Sequence, residues 1–531
     1  MGIQVHNLAY VHLDGATLLK NISFSISKGA KCAIIGANGS GKSTLLRMLA
    51  GFVAPTGGEI VNDEHTYLIP QHFGQYDGMT VGEAIGVSEK ITALHNILGG
   101  DASESNFGIL DDDWDIENKV LSALSRWLPE EITADTPMSA LSGGEKTKVF
   151  MAAASIHEPE LILMDEPTNH LDTQSREAVY DFISESQATV VVVSHDRRIL
   201  NRLSSIYELR IGEMRYFPVS YDEYCGIIQS EQQSAIARLE NRQKELAKAK
   251  RLAQTQLERQ SKQNTRGRGQ AEKKGVPRIM MGAMKNRAEL TTAKLADMQQ
   301  AKLQAMAEDV DAVRASVRDS SAMKVNLSSS GIHYGKILAR GAGVNHSYKE
   351  GAMLWSSGVD FVLNSGDRVR ITGRNGSGKS TLLKIICGRL EASCGLLEIA
   401  NDANIIYLDQ EYSIIDGRKT VYEQLSQFNH GLREHELKIR LNRFLFTKET
   451  WDKPCSCLSG GERMKLVLCC LMISNNMPDI IIADEPTNNI DIENMEILAR
   501  TLREYRGTLI VVSHDETFIE DIGITSEINL D

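Results

Sequence analysis

Two patterns of apolar and polar positions alternate along the chain, and each predicts its own kind of structure. The first is a short, mostly apolar run that ends in glycines or charged residues, as expected of strands buried in a parallel sheet. Three such runs occur in the same order in each half: CAIIGANGSGKSTLL (32–46), LILMDEPTNHLD (161–172) and ATVVVVSHD (188–196), and then VRITGRNGSGKSTLL (369–383), IIADEPTNNID (481–491) and GTLIVVSHD (507–515). This internal repeat predicts two α/β domains of the same design.

The second pattern fills the segment between the repeats, residues 221–325. Here leucine, isoleucine, alanine and methionine recur every three or four positions among lysine, arginine and glutamine, which is typical of long helices. Two apolar stripes follow one another: Ile236, Leu239, Leu246, Ala253 and Leu257, and then Ala288, Leu295, Met298 and Ala305. Glycines and a proline between the stripes predict an antiparallel helical hairpin with an irregular tip at about 263–287. The two α/β domains are accordingly expected at 1–220 and 326–531.

Composition and charge narrow the class of protein. The chain has 531 residues, of which 42% are apolar and 24% charged, and its net charge is −12. It contains no run of about 18 uncharged apolar residues and no secretory signal, so we expect a soluble cytoplasmic protein. Residues 242–302 hold 16 Lys and Arg against 5 Asp and Glu, a surplus of 11 positive charges, so the rest of the chain carries −23. A basic projection on an acidic body predicts a partner that is rich in phosphate groups.

The glycine-rich turn after the first run of each half matches G-x-x-x-x-G-K-S, the phosphate-binding P-loop. Glycines allow successive backbone N–H groups to point at phosphate oxygens, and the following helix adds its positive end. Lys42 and Lys379 would neutralise the outer phosphates of a nucleotide. Ser43 and Ser380 would hold Mg²⁺ through their hydroxyl groups. The candidate phosphate-binding residues are Gly36, Asn38, Gly39, Gly41, Lys42, Ser43 and Thr44 in the first half, and Gly373, Asn375, Gly376, Gly378, Lys379, Ser380 and Thr381 in the second.

The second run of each half ends in two adjacent acids. An Asp-Glu pair at the end of a strand beside a P-loop strand places one carboxylate near Mg²⁺ and the next near the terminal phosphate. Asp165 and Asp484 are therefore candidate metal ligands. Glu166 and Glu485 are candidate bases that polarise the attacking water.

The third run of each half ends in Ser-His-Asp. Each histidine, His195 or His514, lies 29 residues after the glutamate of its own half. The equal spacing indicates a common role, and an imidazole at that place can sense the terminal phosphate. Because lysine, glutamate and histidine are all present twice, we predict two hydrolytically competent sites.

Each half also carries LSGGE, at 141–145 and 458–462, between its P-loop and its acids, and with this motif the chain resembles the ATP-binding cassette family. The resemblance implies ATP and Mg²⁺ as cofactors and the hydrolysis of ATP to ADP and phosphate. It also implies a monomer in which LSGGE of one cassette closes on the P-loop of the other. Further ATP contacts follow from the family's pattern, with an aromatic ring on the adenine and a glutamine at the metal of each site: Tyr10, Gln71, Ser142, Gly143, Gly144, Tyr348, Gln410, Ser459, Gly460 and Gly461.

Two fused cassettes, the wording DEPTNHLD and a basic helical linker resemble the ABC-F family of translation factors over nearly the whole chain. In that family the linker enters the exit-tRNA site of the ribosome, and its tip approaches the P-site tRNA and the peptidyl transferase centre. The resemblance implies the 70S ribosome as partner, and a long tip resembles the members that protect ribosomes from antibiotics. The residues that it implies in contacts with tRNA or rRNA are Arg266, Arg268, Lys273, Lys274, Arg278, Ile279, Met280, Met281 and Lys285.

The sequence leaves other functions open. Fused cassettes also serve as the ATPase subunit of importers, although such a subunit has no evident use for a basic hairpin of this length. A housekeeping ABC-F regulator of translation would carry the same motifs as a resistance protein. A DNA-repair cassette protein would bring zinc-binding cysteine pairs or very long coiled coils, and this sequence has neither.

The first half is longer than the second between corresponding motifs. The separation from Gln71 to Ser142 exceeds that from Gln410 to Ser459 by 22 residues. The excess, within 72–140, fits either the small arm that the ABC-F family inserts in its first cassette or an ordinary surface insertion.

Overall fold

The computed structural model describes residues 2–530 except 13–14, 102, 130, 170, 211, 274–277, 317–334, 349–351, 402, 430, 475–476 and 489. The chain forms two compact units, one of residues 1–221 with 323–531 and the other of residues 222–322. Among the described helices, none combines the length and the apolar character needed to cross a membrane.

The first half folds as a cassette whose strands and helices alternate, because apolar β-branched runs are separated by amphipathic segments. Its elements are β1 (Ile3–Val11), β2 (Thr17–Ile26), β3 (Lys31–Ile35), α1 (Lys42–Leu49), β4 (Gly57–Val61), β5 (Thr66–Ile69), α2 (Val81–Ala84), α3 (Ser88–Leu98), α4 (Glu104–Leu110), α5 (Ile116–Trp127), α6 (Gly143–His157), β6 (Leu161–Asp165), α7 (Thr173–Glu185), β7 (Thr189–Val193), α8 (Arg197–Arg202), β8 (Ser205–Arg210) and β9 (Glu213–Phe217).

The central sheet of this cassette brings the three motifs together. Its order is β5-β6-β7-β3-β8-β9, and β6, β7 and β3 are parallel neighbours. The strands that precede the acid pair, Ser-His-Asp and the P-loop therefore end side by side at one edge of the sheet. All five residues of β6 and of β7 are buried, as expected of strands covered on both faces. A second, antiparallel sheet has the order β2-β1-β4.

The second half repeats this design. Its elements are β10 (Ile337–Asn345), β11 (Val359–Asn364), β12 (Arg368–Thr372), α11 (Lys379–Ile386), β13 (Cys394–Ile399), β14 (Ile405–Leu408), α12 (Val421–Ser426), α13 (Glu434–Arg443), α14 (Gly460–Ile473), β15 (Ile480–Asp484), α15 (Ile492–Glu504), β16 (Thr508–Val512), α16 (Glu516–Ile522) and β17 (Ser526–Asn529). The central sheet runs β14-β15-β16-β12-β17, and the antiparallel sheet runs β11-β10-β13. The predicted α/β fold with two tandem cassettes is confirmed.

The extra length of the first cassette consists of helix. Between β5 and α6 it has α2 to α5, whereas the second cassette has only α12 and α13 between β14 and α14. Exposed aromatic rings lie on this region, with Phe107 and Trp114 in edge-to-face contact at 6.1 Å between ring centres.

The second compact unit contains two long helices, α9 (Tyr221–Lys273) and α10 (Arg278–Ser316). They lie antiparallel, because Gln256 is hydrogen-bonded to Gln299 at 2.6 Å and Arg242 lies 3.3 Å from Asp309. The 53 residues of α9 correspond to about 80 Å of helix at about 1.5 Å per residue. Helix α9 therefore extends into the residues that were predicted to form the tip.

Two details of the linker prediction are wrong. Residues 263–273 and 278–287, which were predicted to be an irregular tip, are helical, and residues 274–277 lie outside the described residues. Glycine costs a helix only about 1 kcal/mol, and the flanking Arg, Gln, Ala and Lys compensate. The second stripe was also misplaced: Met298 and Ala305 are exposed, whereas Leu303 and Met306 are partly buried. Because the seam between two helices is narrow, a sequence with apolar residues on several faces does not define it.

Candidate functional site

The first glycine-rich loop runs from β3 into α1 and closes around the ammonium group of Lys42. Lys42 Nζ donates hydrogen bonds to the carbonyl oxygens of Gly36 at 2.7 Å and Ala37 at 3.1 Å. A Cβ atom at position 36 would lie 2.5 Å from the carbonyl oxygen of Leu209, so only glycine fits there. Gly41 precedes α1 with φ of 97°, a left-handed conformation that favours glycine. The loop holds a buried cation at the positive end of a helix, an arrangement suited to a phosphate group.

The second loop, between β12 and α11, has the same geometry. Lys379 Nζ donates to the carbonyl oxygens of Gly373 at 2.7 Å and Arg374 at 2.8 Å. Gly378 has φ of 93°, and a Cβ there would lie 2.6 Å from Leu354 Cδ2. Both halves thus carry a phosphate-binding loop with its lysine folded onto loop carbonyls, from which a nucleotide phosphate can draw it away.

A carboxylate suited to Mg²⁺ lies beside the first loop. Asp165, at the end of β6, is buried and accepts a hydrogen bond from the Ser43 hydroxyl. Burial raises the pKa of Asp165, and the bond from Ser43 opposes that rise. Its Oδ1 atom is buried and has no hydrogen-bond partner among the described residues. An open carboxylate oxygen next to a hydroxyl and Gln71, which lines the same cavity, fits the oxygen ligands that Mg²⁺ prefers.

The metal-binding residues proposed for the second cassette are arranged differently. Asp484, at the end of β15, is buried and accepts a hydrogen bond from the Tyr407 hydroxyl at 2.7 Å. Ser380 and Gln410 are exposed. No role for Tyr407 follows from the sequence, because a tyrosine in an apolar strand usually packs in the core.

The two candidate bases have an unusual backbone. Glu166 and Glu485 have φ of 50° and 48°, in the left-handed region that residues other than glycine seldom occupy. Such strain is held by the surrounding structure and is concentrated at functional sites. Here the amide of Glu166 donates to Val193 at 2.8 Å, and that of Glu485 donates to Val512 at 2.8 Å.

Each glutamate contacts the histidine that the sequence analysis paired with it. His195 Nε2 lies 3.3 Å from Glu166 Oε1, and His514 Nε2 lies 3.5 Å from Glu485 Oε1. Burial raises the pKa of Glu166 to about 8 and that of Glu485 to about 7. Burial also lowers the pKa of His195 to about 3 and of His514 to about 4, so both imidazoles are neutral.

These shifts predict how the stability of the protein without nucleotide and metal depends on pH. A carboxyl whose folded pKa is raised makes the folded state lose stability as the pH rises from the unfolded value towards the folded one. The buried histidines have the opposite effect, but only below about pH 6.5. The midpoint of thermal unfolding in EDTA should therefore fall between about pH 6.5 and 8. The Glu166→Gln, Glu485→Gln double variant should lack most of this fall, and an unchanged slope would contradict the assignment.

A cavity of about 370 Å³ joins the parts of the first site. It is lined by most of the residues predicted for that site, by further residues of the first cassette for which the sequence predicts no role, and by two residues of the second cassette. The predicted residues are Asn38, Gly39, Gly41, Lys42, Ser43, Thr44, Gln71, Asp165, Glu166 and His195; the additional ones are His12, Leu18, Asn169 and Val193, with Thr487 and Ile490 from the second cassette. The volume is of the size that small-molecule sites have.

The two cassettes touch next to this cavity. The backbone amide of Asn38, in the first P-loop, donates a hydrogen bond to Asp491 Oδ2 of the second cassette at 3.2 Å. Asp491 also caps α15 by accepting from the amide of Asn494 at 2.9 Å. The loop after the acid pair of one cassette thus reaches the phosphate-binding loop of the other.

Known proteins are similar to this chain over most of its length. A family model described as "ABC transporter" matches residues 19–169 and 356–488. The chain is 30% identical to the probable ATP-binding protein YbiT of Escherichia coli O157:H7 over 95% of its own length and 92% of that protein. It is 27% identical to ABC transporter F family member 5 of Arabidopsis thaliana, over 98% of this chain and 74% of that protein.

The chain belongs to the ABC-F family of ATP-binding cassette proteins. The protein is accordingly an ATPase. The solved structures include a complex of an archaeal ribosomal stalk protein with the ribosome recycling factor aABCE1, with a TM-score of 0.57 and 19% identity. That match covers 97% of this ABC-F chain and 86% of the other, and at this identity it shows the tandem fold alone.

The LSGGE residues of this ABC-F protein begin helices. Ser142 and Ser459 cap α6 and α14, and each forms a reciprocal capping box with the glutamate three residues later, Glu145 or Glu462. A Cβ at Gly461 would lie 2.2 Å from the Asn494 side chain. The second cassette contributes Thr487 and Ile490 to the first cavity, and contact of Ser459 or Gly461 with an ATP bound there stays a prediction.

The two tyrosines predicted to stack on adenine differ in their surroundings. Tyr348 is 65% exposed, and its hydroxyl is hydrogen-bonded to Thr381 Oγ1 at 2.9 Å, at the start of α11. Tyr10 packs partly against the core and meets His12 edge-on at 5.3 Å, and His12 lines the cavity. In the first site of this ABC-F protein, His12 therefore offers an aromatic surface that the sequence analysis did not consider.

Most of the linker residues implied in RNA contacts lie outside the described side chains. Arg266, the one residue of that set whose side chain the structure describes, is exposed on α9. The others are Arg268, Lys273, Lys274, Arg278, Ile279, Met280, Met281 and Lys285.

Opposite charges face each other where the cassettes of this ABC-F protein meet. Arg197, at the start of α8, lies 3.1 Å from Glu496 on α15 and 3.4 Å from Asp521 on α16. Its side chain is 20% exposed, so water screens this cluster only partly.

Reversal of the charge at Arg197 tests this contact. The Arg197→Glu variant should lower the apparent midpoint of thermal unfolding without nucleotide by about 2 °C, because exposed ion pairs each contribute about 0.2–1 kcal/mol. The Arg197→Glu, Glu496→Arg double variant should recover part of the loss. Equal loss in both variants would mean that the contact has no stabilising role.

Proposed function

We propose that this protein is an ATP-dependent, ribosome-binding translation factor. The observation that carries the proposal is a helical hairpin with a surplus of 11 positive charges over residues 242–302, inserted between two cassettes that each hold a P-loop and an acid pair. Basic charge concentrated on a long helical hairpin suits RNA, because counterion release from phosphates drives such binding. The ATPase subunit of a membrane transporter has no evident use for this hairpin.

Relatives and structural neighbours support the ribosome as the partner. The neighbours include a ribosome recycling factor and a model titled "ribosome-bound archaeal Pelota and ABCE1". The ABC-F family that the sequence resembles acts on translation. We place the linker at residues 221–325 and the two cassettes at 1–220 and 326–531.

ATP would act by selecting the closed arrangement of the cassettes. Lys42 and Lys379 leave the loop carbonyls for the nucleotide phosphates, and LSGGE of the opposite cassette, with Ser459 or Ser142, completes each site. ATP favours this state only in so far as it binds it more tightly than the open one. Mg²⁺, held by Ser43, Asp165 and Gln71 or by their counterparts, would neutralise charge on the phosphates.

Hydrolysis would then reopen the cassettes and release the ribosome. Glu166 and Glu485 receive a proton from the attacking water or orient that water. His195 and His514 sense the terminal phosphate. The raised pKa of each glutamate lies near neutral pH, which suits a group that must take up and return a proton.

For the linker we propose an approach to the P-site tRNA and the peptidyl transferase centre, and protection of the ribosome from antibiotics that bind there. The support is the length of the two helices and the family resemblance. A housekeeping role in translation would use the same site chemistry. Growth of a strain that lacks the gene, with and without antibiotics of that binding site, separates the two roles.

The test is sedimentation of ribosomes from cells that express the Glu166→Gln, Glu485→Gln double variant. With ATP, the variant should remain on ribosomes in near-stoichiometric amount, because it closes but cannot reopen. The wild-type protein and the variant with ADP are the matched controls. Recovery in the membrane fraction, with none on ribosomes, would favour the importer subunit instead.

A further inference from the structure

Arg176 breaks the symmetry of the two cassettes at a position close to both active sites. It lies eleven residues after Asp165, and the residue eleven after Asp484 is Met495. Met495 is 4% exposed and packs in the core of the second cassette. Arg176 is 8% exposed and therefore carries a buried guanidinium group at the same position. A buried arginine stays charged and needs partners, so its presence at a position where methionine suffices calls for an explanation.

Within its own cassette, Arg176 holds the turn that follows the acid pair. Its Nε donates to the carbonyl oxygen of Leu171 at 3.1 Å, and its Nη1 lies 3.8 Å from Asp196 Oδ2. Asp196 is fixed in turn, because it accepts a hydrogen bond from the Tyr180 hydroxyl at 2.5 Å. Arg176 therefore connects the segment DEPTNHLD to the segment Ser-His-Asp.

Arg176 also faces the second cassette. It lines a small cleft with Thr173 and Asp196 of the first cassette and with His514 and Asp515 of the second. His514 contacts Glu485, the candidate base of the second site. Arg176 therefore shares a cleft with the histidine that lies 3.5 Å from the second candidate base.

The first site has a different set of charged neighbours. Glu166 lines its cavity together with Asp165 and with Lys42 of its own P-loop. The position that corresponds to Arg176 on the second cassette is the apolar Met495, which carries no charge to offer. The two ATP sites consequently differ in the charge that the opposite cassette supplies.

We propose that Arg176 is a positioning residue that acts across the cassette interface on the second ATP site, and that the first site has no equivalent. Arg176 holds the Leu171 turn and Asp196 in place and presents its positive charge in the cleft that His514 of the second site lines. Preoriented charge of this kind lowers the barrier to phosphoryl transfer more than it affects ATP binding. The inference rests on the proposed roles of Glu166 and Glu485 and is independent of ribosome binding.

The test measures each site alone. Glu166→Gln leaves only the second site to hydrolyse ATP, and Glu485→Gln leaves only the first. Adding Arg176→Met should lower kcat in the Glu166→Gln background by between about 10-fold and 100-fold, since misplacement of a catalytic group can cost about 10²-fold. The KM for ATP should change much less, and the effect in the Glu485→Gln background should be several-fold smaller.

Two further variants separate positioning from general damage. Arg176→Lys keeps the charge and should recover part of kcat, whereas a purely structural role for the arginine fork would give no recovery. Arg202→Met removes an arginine of α8 that pairs with Glu177 and Asp181 on the surface, and it should leave the ratio of the two single-site rates unchanged. An equal fall in both backgrounds, or no fall, would overturn the proposal. Hydrolysis at the wild-type rate by the Glu166→Gln, Glu485→Gln double variant would instead refute the assigned bases, and the role of Arg176 with them.

Discussion

The Glu166→Gln, Glu485→Gln double variant is expected to hydrolyse ATP at least about 10²-fold more slowly than the wild-type protein, since general-base catalysis contributes about 10²-fold to 10⁴-fold. Glutamine keeps the size of the side chain but cannot accept the proton of the attacking water. It can still donate to or accept from the neighbouring imidazole, which is neutral at the pH of the assay. ATP binding should persist, because the P-loop lysines are untouched.

The measurement is steady-state phosphate release together with equilibrium binding of ATP. Each single variant should retain activity at its unaltered site. The matched control replaces two exposed glutamates, Glu104 and Glu449, by glutamine and should keep the wild-type rate. Loss of ATP binding along with hydrolysis would show that the glutamates support the fold of the site, and an undiminished rate would exclude them as bases.

Reversal of charge on the linker is expected to weaken ribosome binding while ATP binding stays intact. The Arg266→Glu, Arg268→Glu, Lys274→Glu variant removes three cations from the basic hairpin. If each neutralises one RNA phosphate, the slope of log affinity against log salt should become shallower by about 2 to 3, and affinity at physiological salt should fall at least about tenfold. Sedimentation with purified ribosomes over a series of salt concentrations gives both quantities.

A variant with the same change in net charge elsewhere is the control. Lys20, Lys448 and Arg506 are exposed on the cassettes, and their replacement by glutamate should leave the salt slope unchanged. If both triple variants bind ribosomes equally well at every salt concentration, the linker does not carry the electrostatic contact. If both bind equally poorly, overall charge and not the hairpin decides affinity.

The sequence alone was sufficient for the fold and for the parts of the site that lie within one cassette. Apolar runs ending in glycines, acids or Ser-His-Asp defined strands whose ends meet, because parallel neighbours in a sheet place their carboxyl ends at one edge. The pairing of Glu166 with His195 followed from equal spacing in the two halves. The P-loop lysines followed from the full motif, which leaves little freedom for the backbone.

Features that depend on distant contacts could not be read from the sequence. Tyr407 reaches Asp484 only because β14 and β15 are neighbours in the sheet. His12 lies in the cavity wall although no motif marks it. The linker contains more helix than the sequence predicts. Glycine and proline near the tip suggest a break, but the long flanking runs of helix-forming residues outweigh the cost of the isolated glycines.

The charged residues at the interface between the cassettes indicate how the two halves have diverged from each other. Arg197 on α8 pairs with Asp521 on α16, and the residues at the corresponding positions of the repeat are Glu516 on α16 and Arg202 on α8. Two copies of the first half would bring arginine against arginine, and two copies of the second would bring acid against acid, each at a cost in association. The halves, though built alike, have diverged into opposite partners. Two copies of the same half should therefore associate more weakly than the two natural halves do.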